Sequence, residues 1–230
     1  MDGGSTDGTV EILERYSDRI TWKSEPDRGQ SHAINKGLDA AGGDIVAYLN
    51  SDDTYEKDAV GRVIEFFRRN PDKKWVYGKC KIVDEADVEI RKPITFYKNL
   101  LLKNFSYRKL LAENFISQPA TFWKRELVEE VGYFNENEPL CMDYEYWLRI
   151  GRKYPAGVID EYLASFRHHR DSKSHRGVQR HFRDELRIAR QYGQDHPLPL
   201  FLHRINYYKI VWAYKVLNAG LRSTKAQSAL

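Results

Sequence analysis

One short stretch of this chain constrains its fold more than any other. Residues Ile45–Leu49 form a continuous apolar run, which predicts a strand that is covered on both faces. The run ends abruptly in the tetrapeptide NSDD, in which Asp52 and Asp53 are adjacent. Ligands of open α/β sheets bind at the carboxyl ends of the strands, where these two carboxylates would lie. The stretch therefore predicts an α/β fold with an acidic site at one edge of its sheet.

The segments on either side of this strand alternate between helical and strand patterns. The pattern predicts, in order, helix 9–16, strand 20–23, helix 31–41, strand 45–49, helix 57–69 and strand 74–84, with 88–94 pairing to the last as a hairpin. It then predicts helix 98–113, strand or loop 116–123, helices at 125–131 and from 142 up to Pro155, strand 157–169, and basic helices at about 174–194 and 198–222. Such an order is typical of a mostly parallel sheet flanked by helices.

Charge and cysteine usage narrow the class of protein. Residues 160–230 hold thirteen Lys and Arg against six Asp and Glu, although the whole chain has a net charge of only +4. This asymmetry indicates an acidic site followed by an anion-facing tail. A nucleic-acid-binding domain that uses the basic tail is an alternative, and the acidic site argues against a nucleic-acid partner.

Cys80 and Cys141 form no metal or disulfide spacing, and no signal peptide or membrane-spanning run occurs, so we expect a cytoplasmic protein.

Asp52 and Asp53 have two interpretations. Adjacent carboxylates repel each other, and a divalent cation such as Mg²⁺ or Mn²⁺ would explain why both stay ionised. Alternatively, one of them caps the helix that follows, since Asp is a favoured N-cap residue.

Three further motifs offer groups for a site, each with a structural alternative. In DGGSTDGT, residues 2–9, Asp2 is a candidate acceptor for a base or ribose or else part of a plain turn, and the motif matches neither a P-loop nor a Rossmann fingerprint. In CMDYEYWLR, Asp143 is a candidate general base or else a helix cap. In SFRHHRDSKS, His168 or His169 is a candidate ligand of the same cation or else a structural histidine.

The order of these segments is more specific than any one of them. DGGSTDGT, EPDRGQSHAINKG, GDIVAYLNSDD, QPATFWKRELVEEVGYFNE, MDYEYWLR and FRHH together resemble the glycosyltransferase family 2 enzymes of the GT-A fold, over residues 2 to about 175. The resemblance implies a mixed, mostly parallel GT-A sheet in a domain over 1–175, followed by a basic and aromatic helical extension over 176–230. In the family a strand, loop and helix precede the DGGS turn, so the resemblance also implies that the domain here lacks its first strand and helix.

The function that the resemblance implies is inverting transfer of a sugar. A nucleoside-diphosphate sugar would be the donor, a hydroxyl of a glycan or lipid-linked acceptor would receive the sugar, and Mn²⁺ or Mg²⁺ would be the cofactor. Polysaccharide or glycoconjugate synthesis would be the setting. The alternative is a catalytically inactive relative that binds nucleotide sugar or glycan.

The resemblance also assigns roles to individual residues. It places Asp143 as the catalytic base, with Met142 where the family has a preceding acid, and Asn50 where the DxD element has its leading acid. It assigns the nucleotide sugar to Asp2, Arg28, Asn35 and Asp52, the metal to Asp53 and His169, and the acceptor side to Gln118 and Trp123. Burial in the core explains the aromatic residues of that last segment equally well.

The tail at 198–222 is apolar and aromatic with interspersed basic residues. Two interpretations fit this composition. One is peripheral contact with the inner face of a membrane, where Tyr, Trp and basic side chains are favoured. The other is a helix that packs on the catalytic domain.

Overall fold

The computed structural model describes residues 1–169 and 178–211. Its helices are α1 Thr9–Arg15, α2 Gln30–Ala40, α3 Ala59–Arg69, α4 Lys92–Leu102, α5 Tyr107–Ala112, α6 Glu126–Val131, α7 Met142–Gly151, α8 Val178–Tyr192 and α9, which covers 197–211. Its strands are β1 Ile45–Val46, β2 Thr54–Tyr55, β3 Trp75–Val83, β4 Thr121–Lys124 and β5 Gly157–Arg167.

The five strands form one mixed sheet in the order β1-β4-β3-β5-β2. The mixed α/β fold with flanking helices is therefore confirmed. The expectation that most strands pair in parallel is wrong for the described residues, because the long β3–β5 pair is parallel and the other three pairs are antiparallel. β4 causes much of the difference, since it lies antiparallel to both β1 and β3.

The sheet lies between two apolar clusters because its side chains alternate between its faces. On β3, Trp75 and Tyr77 point into a cluster that includes side chains of α5 and α7. Val76, between them, points into a second cluster that includes Val63 and Phe67 of α3. β4 repeats the alternation, with Phe122 on the α3 side and the next residue on the other. Helices thus cover both faces, as the apolar run predicted, but the strand itself is only Ile45–Val46, and Leu49, predicted within it, is exposed.

Several predicted element boundaries differ from the structure. The helix predicted over 98–113 is two helices, α4 and α5, and Ser106 caps the second by accepting a hydrogen bond from the Lys109 N–H at 3.5 Å. The strand predicted over 20–23 is absent from the described chain, which has a single parallel bridge between Asp2 and Ser24. The predicted hairpin is reduced to an isolated bridge between Val83 and Glu89, because α4 begins shortly afterwards.

The C-terminal helices pack onto this core. α8 contacts α5 and α7, and its Ile188 and Ala189 belong to the same apolar cluster as Trp75. The two basic helices predicted at 174–194 and 198–222 correspond to α8 and α9 where the structure describes them, and residues 170–177 and 212–230 lie outside the described part. The division into domains at residue 175 stays a prediction.

Within residues 1–169 and 178–211, no helix has the length and hydropathy that a bilayer crossing requires.

Candidate active site

The loop between β1 and β2 is anchored by Asp53. Its side chain is only 5% exposed. One carboxylate oxygen accepts the Arg167 backbone N–H at 2.9 Å, and the other accepts the Asn50 amide at 3.0 Å. Burial raises the pKa of Asp53, and these two hydrogen bonds oppose the rise. The residue predicted as the metal ligand therefore ties its loop to the end of β5.

Asp52 lies on the solvent-exposed side of the same loop, beside His169, which was predicted to bind the cation. Its Oδ2 is 3.0 Å from Nε2 of His169, and the two side chains are 37% and 24% exposed. The structure thus brings together two residues that are 117 positions apart in the chain. Both present donor atoms that suit a divalent cation.

A chain of hydrogen bonds between side-chain amides holds the loop of Asp52 and Asp53 in place. Gln30 at the start of α2 donates to the Asn50 side-chain oxygen at 2.6 Å, and the Asn50 amide approaches the Gln118 oxygen at 3.2 Å. The Gln118 amide donates to the Tyr48 carbonyl at 2.6 Å, and its side chain is buried. Gln118, predicted on the acceptor side, is therefore part of the buried support of the loop and does not line an open surface.

Asp143 lies in the first turn of α7 and is half-buried. Cys141 is the N-cap of that helix, so the alternative of Asp143 as a cap is wrong. Burial raises the pKa of the Asp143 carboxyl, while the hydrogen bond from the Tyr144 N–H at 2.8 Å to its Oδ1 opposes the rise. The start of α2 connects this turn to the acidic loop, because Gln30 donates to Asn50 of the loop and the next residue, Ser31, donates to Met142 beside Asp143. Burial raises the pKa of the Tyr48 phenol, and the charges of Asp143 and Asp53 add to the rise.

Met142, where a family acid was expected, is buried, and its sulfur accepts the Ser31 hydroxyl at 2.8 Å. This contact connects α7 to α2. The position is thus occupied by a packing residue with no group that could take up a proton.

Asp2 organises the glycine-rich turn. Its carboxylate accepts hydrogen bonds from the Gly4 and Ser5 N–H groups at 3.0 and 2.9 Å and from the Ser24 and Ser5 hydroxyls at 2.6 and 2.5 Å. These bonds hold the pKa of Asp2 well below its ordinary value. Gly4 has φ of 84°, a conformation that favours glycine. The turn interpretation describes what the carboxylate does in the structure, and a nucleotide role stays a prediction.

Arg28 and Asn35 both bind the loop that follows α6. The Asn35 side chain accepts the Phe134 N–H and donates to the Phe134 carbonyl, both at 2.9 Å. The Arg28 guanidinium pairs with Glu136 at 2.8 Å and is 70% exposed. Their predicted contact with a nucleotide stays untested.

Trp123 requires a correction. Its side chain is fully buried, with its ring 5.6 Å from that of Trp147 and 5.7 Å from that of Tyr146. A ring in this position cannot floor an acceptor site, so the core alternative is the right one.

Two further residues shape the site and were not predicted from the sequence. Arg167 donates to the Asp52 carbonyl at 2.8 Å and to the Asp87 carboxylate at 2.7 Å, and only its position at the end of a strand offered a signal. His181 of α8 contacts Leu140 and Cys141, just before Asp143, and its spacing of four residues from Glu185 would have marked it as one of a helical pair.

The residues fit a divalent cation that is bound partly by its substrate. Within the described ranges, 1–169 and 178–211, no three His, Cys, Asp or Glu side chains gather in a metal-binding arrangement. Mg²⁺ and related ions are usually bound through one or two carboxylates together with the phosphates of a substrate. Asp52 supplies one such carboxylate, with the His169 imidazole beside it. Each Asp53 oxygen accepts one hydrogen bond and keeps a further lone pair, so Asp53 stays a predicted ligand.

Comparison with known proteins assigns this architecture to a class. The mannosyltransferase PcManGT from Pyrobaculum calidifontis, solved with GDP-Man and Mn²⁺, superposes with a TM-score of 0.61 at 22% identity, covering 98% of this chain and 64% of that one. S. aureus TarS 1–349, solved with UDP-GlcNAc, gives a TM-score of 0.57 at 16% identity, covering 86% and 57%. The fold is that of the GT-A glycosyltransferases.

Sequence comparison gives the family. The model of glycosyl transferase family 2 matches residues 1–132, so this chain belongs to that family. An uncharacterized glycosyltransferase of Mycobacterium tuberculosis (strain H37Rv) is 30% identical over 154 residues, which are 65% of this chain and 55% of that protein. The PGL/p-HBAD biosynthesis glycosyltransferase of Mycobacterium bovis (strain BCG) is 29% identical over 154 residues, 65% of this chain and 56% of that protein. The chain thus spans just over half the length of these relatives.

Proposed function

We propose that this chain is a metal-dependent inverting glycosyltransferase that moves a sugar from a nucleoside-diphosphate sugar to an acceptor hydroxyl, in polysaccharide or glycoconjugate synthesis. One observation carries the proposal: the start of α2 connects the turn of the half-buried Asp143 to the loop that holds Asp53 and the Asp52–His169 pair. The presence of UDP-GlcNAc and of GDP-Man with Mn²⁺ in two structural neighbours supports the donor class and the cofactor.

Different residues would act on the donor and on the acceptor. Asp52 and His169 would hold a Mn²⁺ or Mg²⁺ ion, which when bound neutralises charge on a diphosphate leaving group. The other Asp143 oxygen, Oδ2, would accept the proton of the acceptor hydroxyl while that hydroxyl oxygen bonds to the anomeric carbon. The bond from that carbon to the diphosphate breaks on the opposite face, so the configuration inverts. The acceptor would be a glycan or a lipid-linked sugar.

Donor binding is the direct test of the proposed site. We expect UDP or GDP with Mn²⁺ to raise the melting temperature of the protein, since a ligand at 100 times its Kd stabilises by about 2.7 kcal/mol. Asp52→Asn should lose most of this shift because the amide carries no charge for the cation. Differential scanning fluorimetry with and without Mn²⁺ measures both effects.

Asp72→Asn is the matched control, because Asp72 is an exposed carboxylate on the loop after α3. It should keep the full nucleotide shift. If UDP, GDP and other nucleoside diphosphates leave the melting temperature unchanged with Mn²⁺, the proposed function is wrong.

We further propose that α9 contacts an anionic lipid surface. One face of this helix is packed, since His203 is buried and its ring approaches the Leu111 carbonyl at 2.8 Å. Phe201 and Tyr208 on the helix are 57% and 60% exposed. Exposed aromatic side chains beside basic ones suit the interface of an anionic bilayer.

Vesicle sedimentation tests this contact. We expect the protein to sediment with vesicles of anionic phospholipid and to remain in solution with zwitterionic ones. Phe201→Ser with Tyr208→Ser should release it, whereas Val60→Ser with Ile64→Ser, which changes two exposed apolar residues of α3, should not. Equal sedimentation by both double variants would contradict the proposal.

A further inference from the structure

His181 of α8 is held between two hydrogen-bond acceptors. Its Nδ1 is 3.0 Å from the Leu140 carbonyl oxygen, and its Nε2 is 3.3 Å from a carboxylate oxygen of Glu185. A carbonyl and an ionised carboxylate only accept hydrogen bonds, so the ring satisfies both by carrying a proton on each nitrogen. The geometry therefore selects the charged imidazolium.

Glu185 is a buried partner of the His181 imidazolium. Its side chain is 6% exposed, and it also accepts a hydrogen bond from the Asn114 amide at 2.8 Å. A buried carboxylate with two donors is favoured in its ionised form. Accordingly, the pKa of Glu185 is lowered, and its charge raises the pKa of His181 to about 9.

The imidazolium lies beside the turn that carries Asp143. The Cys141 thiol, at the N-cap of α7, donates to the His181 carbonyl at 3.4 Å and is 3.6 Å from the ring Nδ1. Asp143 follows two residues later. The two charges act on each other, since His181 lowers the pKa of Asp143 and Asp143 raises that of His181.

The positive charge of His181 bears on the protonation state that the proposed mechanism requires of Asp143. A general base must be ionised before it can accept a proton, and burial of Asp143 favours its neutral form. Within the described ranges, the other charged or titratable groups around the cluster include Tyr48, Lys98, Glu138, Cys141, Asp184, Glu185, Arg187 and His203. Two of these groups also act on Asp143. Glu185 raises the pKa of Asp143 and so opposes its ionisation, whereas Lys98 lowers that pKa, but less than His181 does.

We propose that His181 is a positioning residue of the transferase, held as an imidazolium by Leu140 and Glu185 so that its charge keeps Asp143 ionised for proton abstraction. The inference rests on the proposed function. It adds to the reaction a residue of the C-terminal helices, which lie outside the segment matched by the family model.

The pH profile of transfer tests the proposal. In His181→Gln we expect the acidic limb of kcat/KM to move up by about one pH unit, because an opposite charge nearby lowers a carboxyl pKa by roughly that much or more. Below the limb, kcat/KM should fall about tenfold relative to the parent protein. KM for the donor should stay unchanged, and His181→Lys should move the limb back by restoring a positive charge.

His196→Gln is the matched control, since His196 lies just after α8, where its ring contacts Tyr107. It should leave the limb in place. An acidic limb that is the same in His181→Gln and the parent protein would overturn the proposal. Absence of transfer by the parent protein would instead contradict the proposed function.

A second measurement needs neither activity nor a variant. NMR titration of the parent protein should show the His181 ring doubly protonated at pH 7.5 and losing its proton near pH 9. Because the folded pKa lies above the unfolded value of 6.5, the pair's contribution to stability is complete below pH 6.5 and is lost as pH rises through about 9. Urea unfolding across that range measures the loss, and a His181 ring that titrates near 6.5 would overturn the proposal.

Discussion

Replacing Asp143 by Asn should lower sugar transfer by about 10²–10⁴-fold, which is the usual contribution of a general base. The amide keeps the size of the side chain and still accepts the Tyr144 N–H through its oxygen. It cannot take up the proton of an acceptor hydroxyl. We therefore expect kcat to fall while the nucleotide-induced rise in melting temperature is retained.

The comparison that makes this result specific is Asp72→Asn, which should transfer sugar at the parent rate. Transfer by Asp143→Asn at the rate of the parent protein would remove Asp143 from the mechanism. If the parent protein binds nucleotide with Mn²⁺ but transfers sugar to no acceptor, the alternative of an inactive binding relative is the better one. Met142 in place of an acid, in contact with Ser31, is the structural feature that favours that alternative.

Trp123→Ala should destabilise the fold by about 3–5 kcal/mol, the range for removal of a large buried aromatic side chain. The indole lies at the meeting point of β4, α7 and the loop of Phe134, so its loss leaves a cavity between three elements. Chemical denaturation should show a lower midpoint at an unchanged slope.

Trp22→Ala is the matched control, because Trp22 is half-buried, belongs to neither apolar cluster of the described residues, and donates its indole N–H to Ser17. Its cost should be well below that of Trp123→Ala. A Trp123→Ala protein with parent stability and a raised acceptor KM would restore the acceptor-side interpretation.

Periodicity predicted the helices well but not always the face that each one buries. The apolar residues of α3 share a helical spacing, and the structure buries Val63 and Phe67 at 1% and 6% exposure. Val60 and Ile64 on the same helix are 51% and 54% exposed. The sheet covers only half of the apolar stripe, and the width of that coverage depends on β5, which is distant in the sequence.

The candidate site, too, could be predicted from the sequence only in part. Asp52 and His169 were predictable as neighbours because each follows a strand of the same sheet. Asp53 was not predictable as an anchor, because its partner is the backbone N–H of Arg167, and every residue except proline carries such a group. Sequence patterns identify the carboxylates of a site but not which of them the fold already uses.

The pairing of β5 with β3 has a consequence for how the protein is made. The two strands join residues 81 to 84 positions apart, from Val76 with Gly157 to Val83 with Arg167. Contacts of such long sequence separation form late, because the intervening chain must close first. On the ribosome, the loop of Asp53 therefore lacks its hydrogen bond to β5 until Arg167 has emerged. The acidic loop thus completes its attachment to the sheet only after most of the described chain has been made.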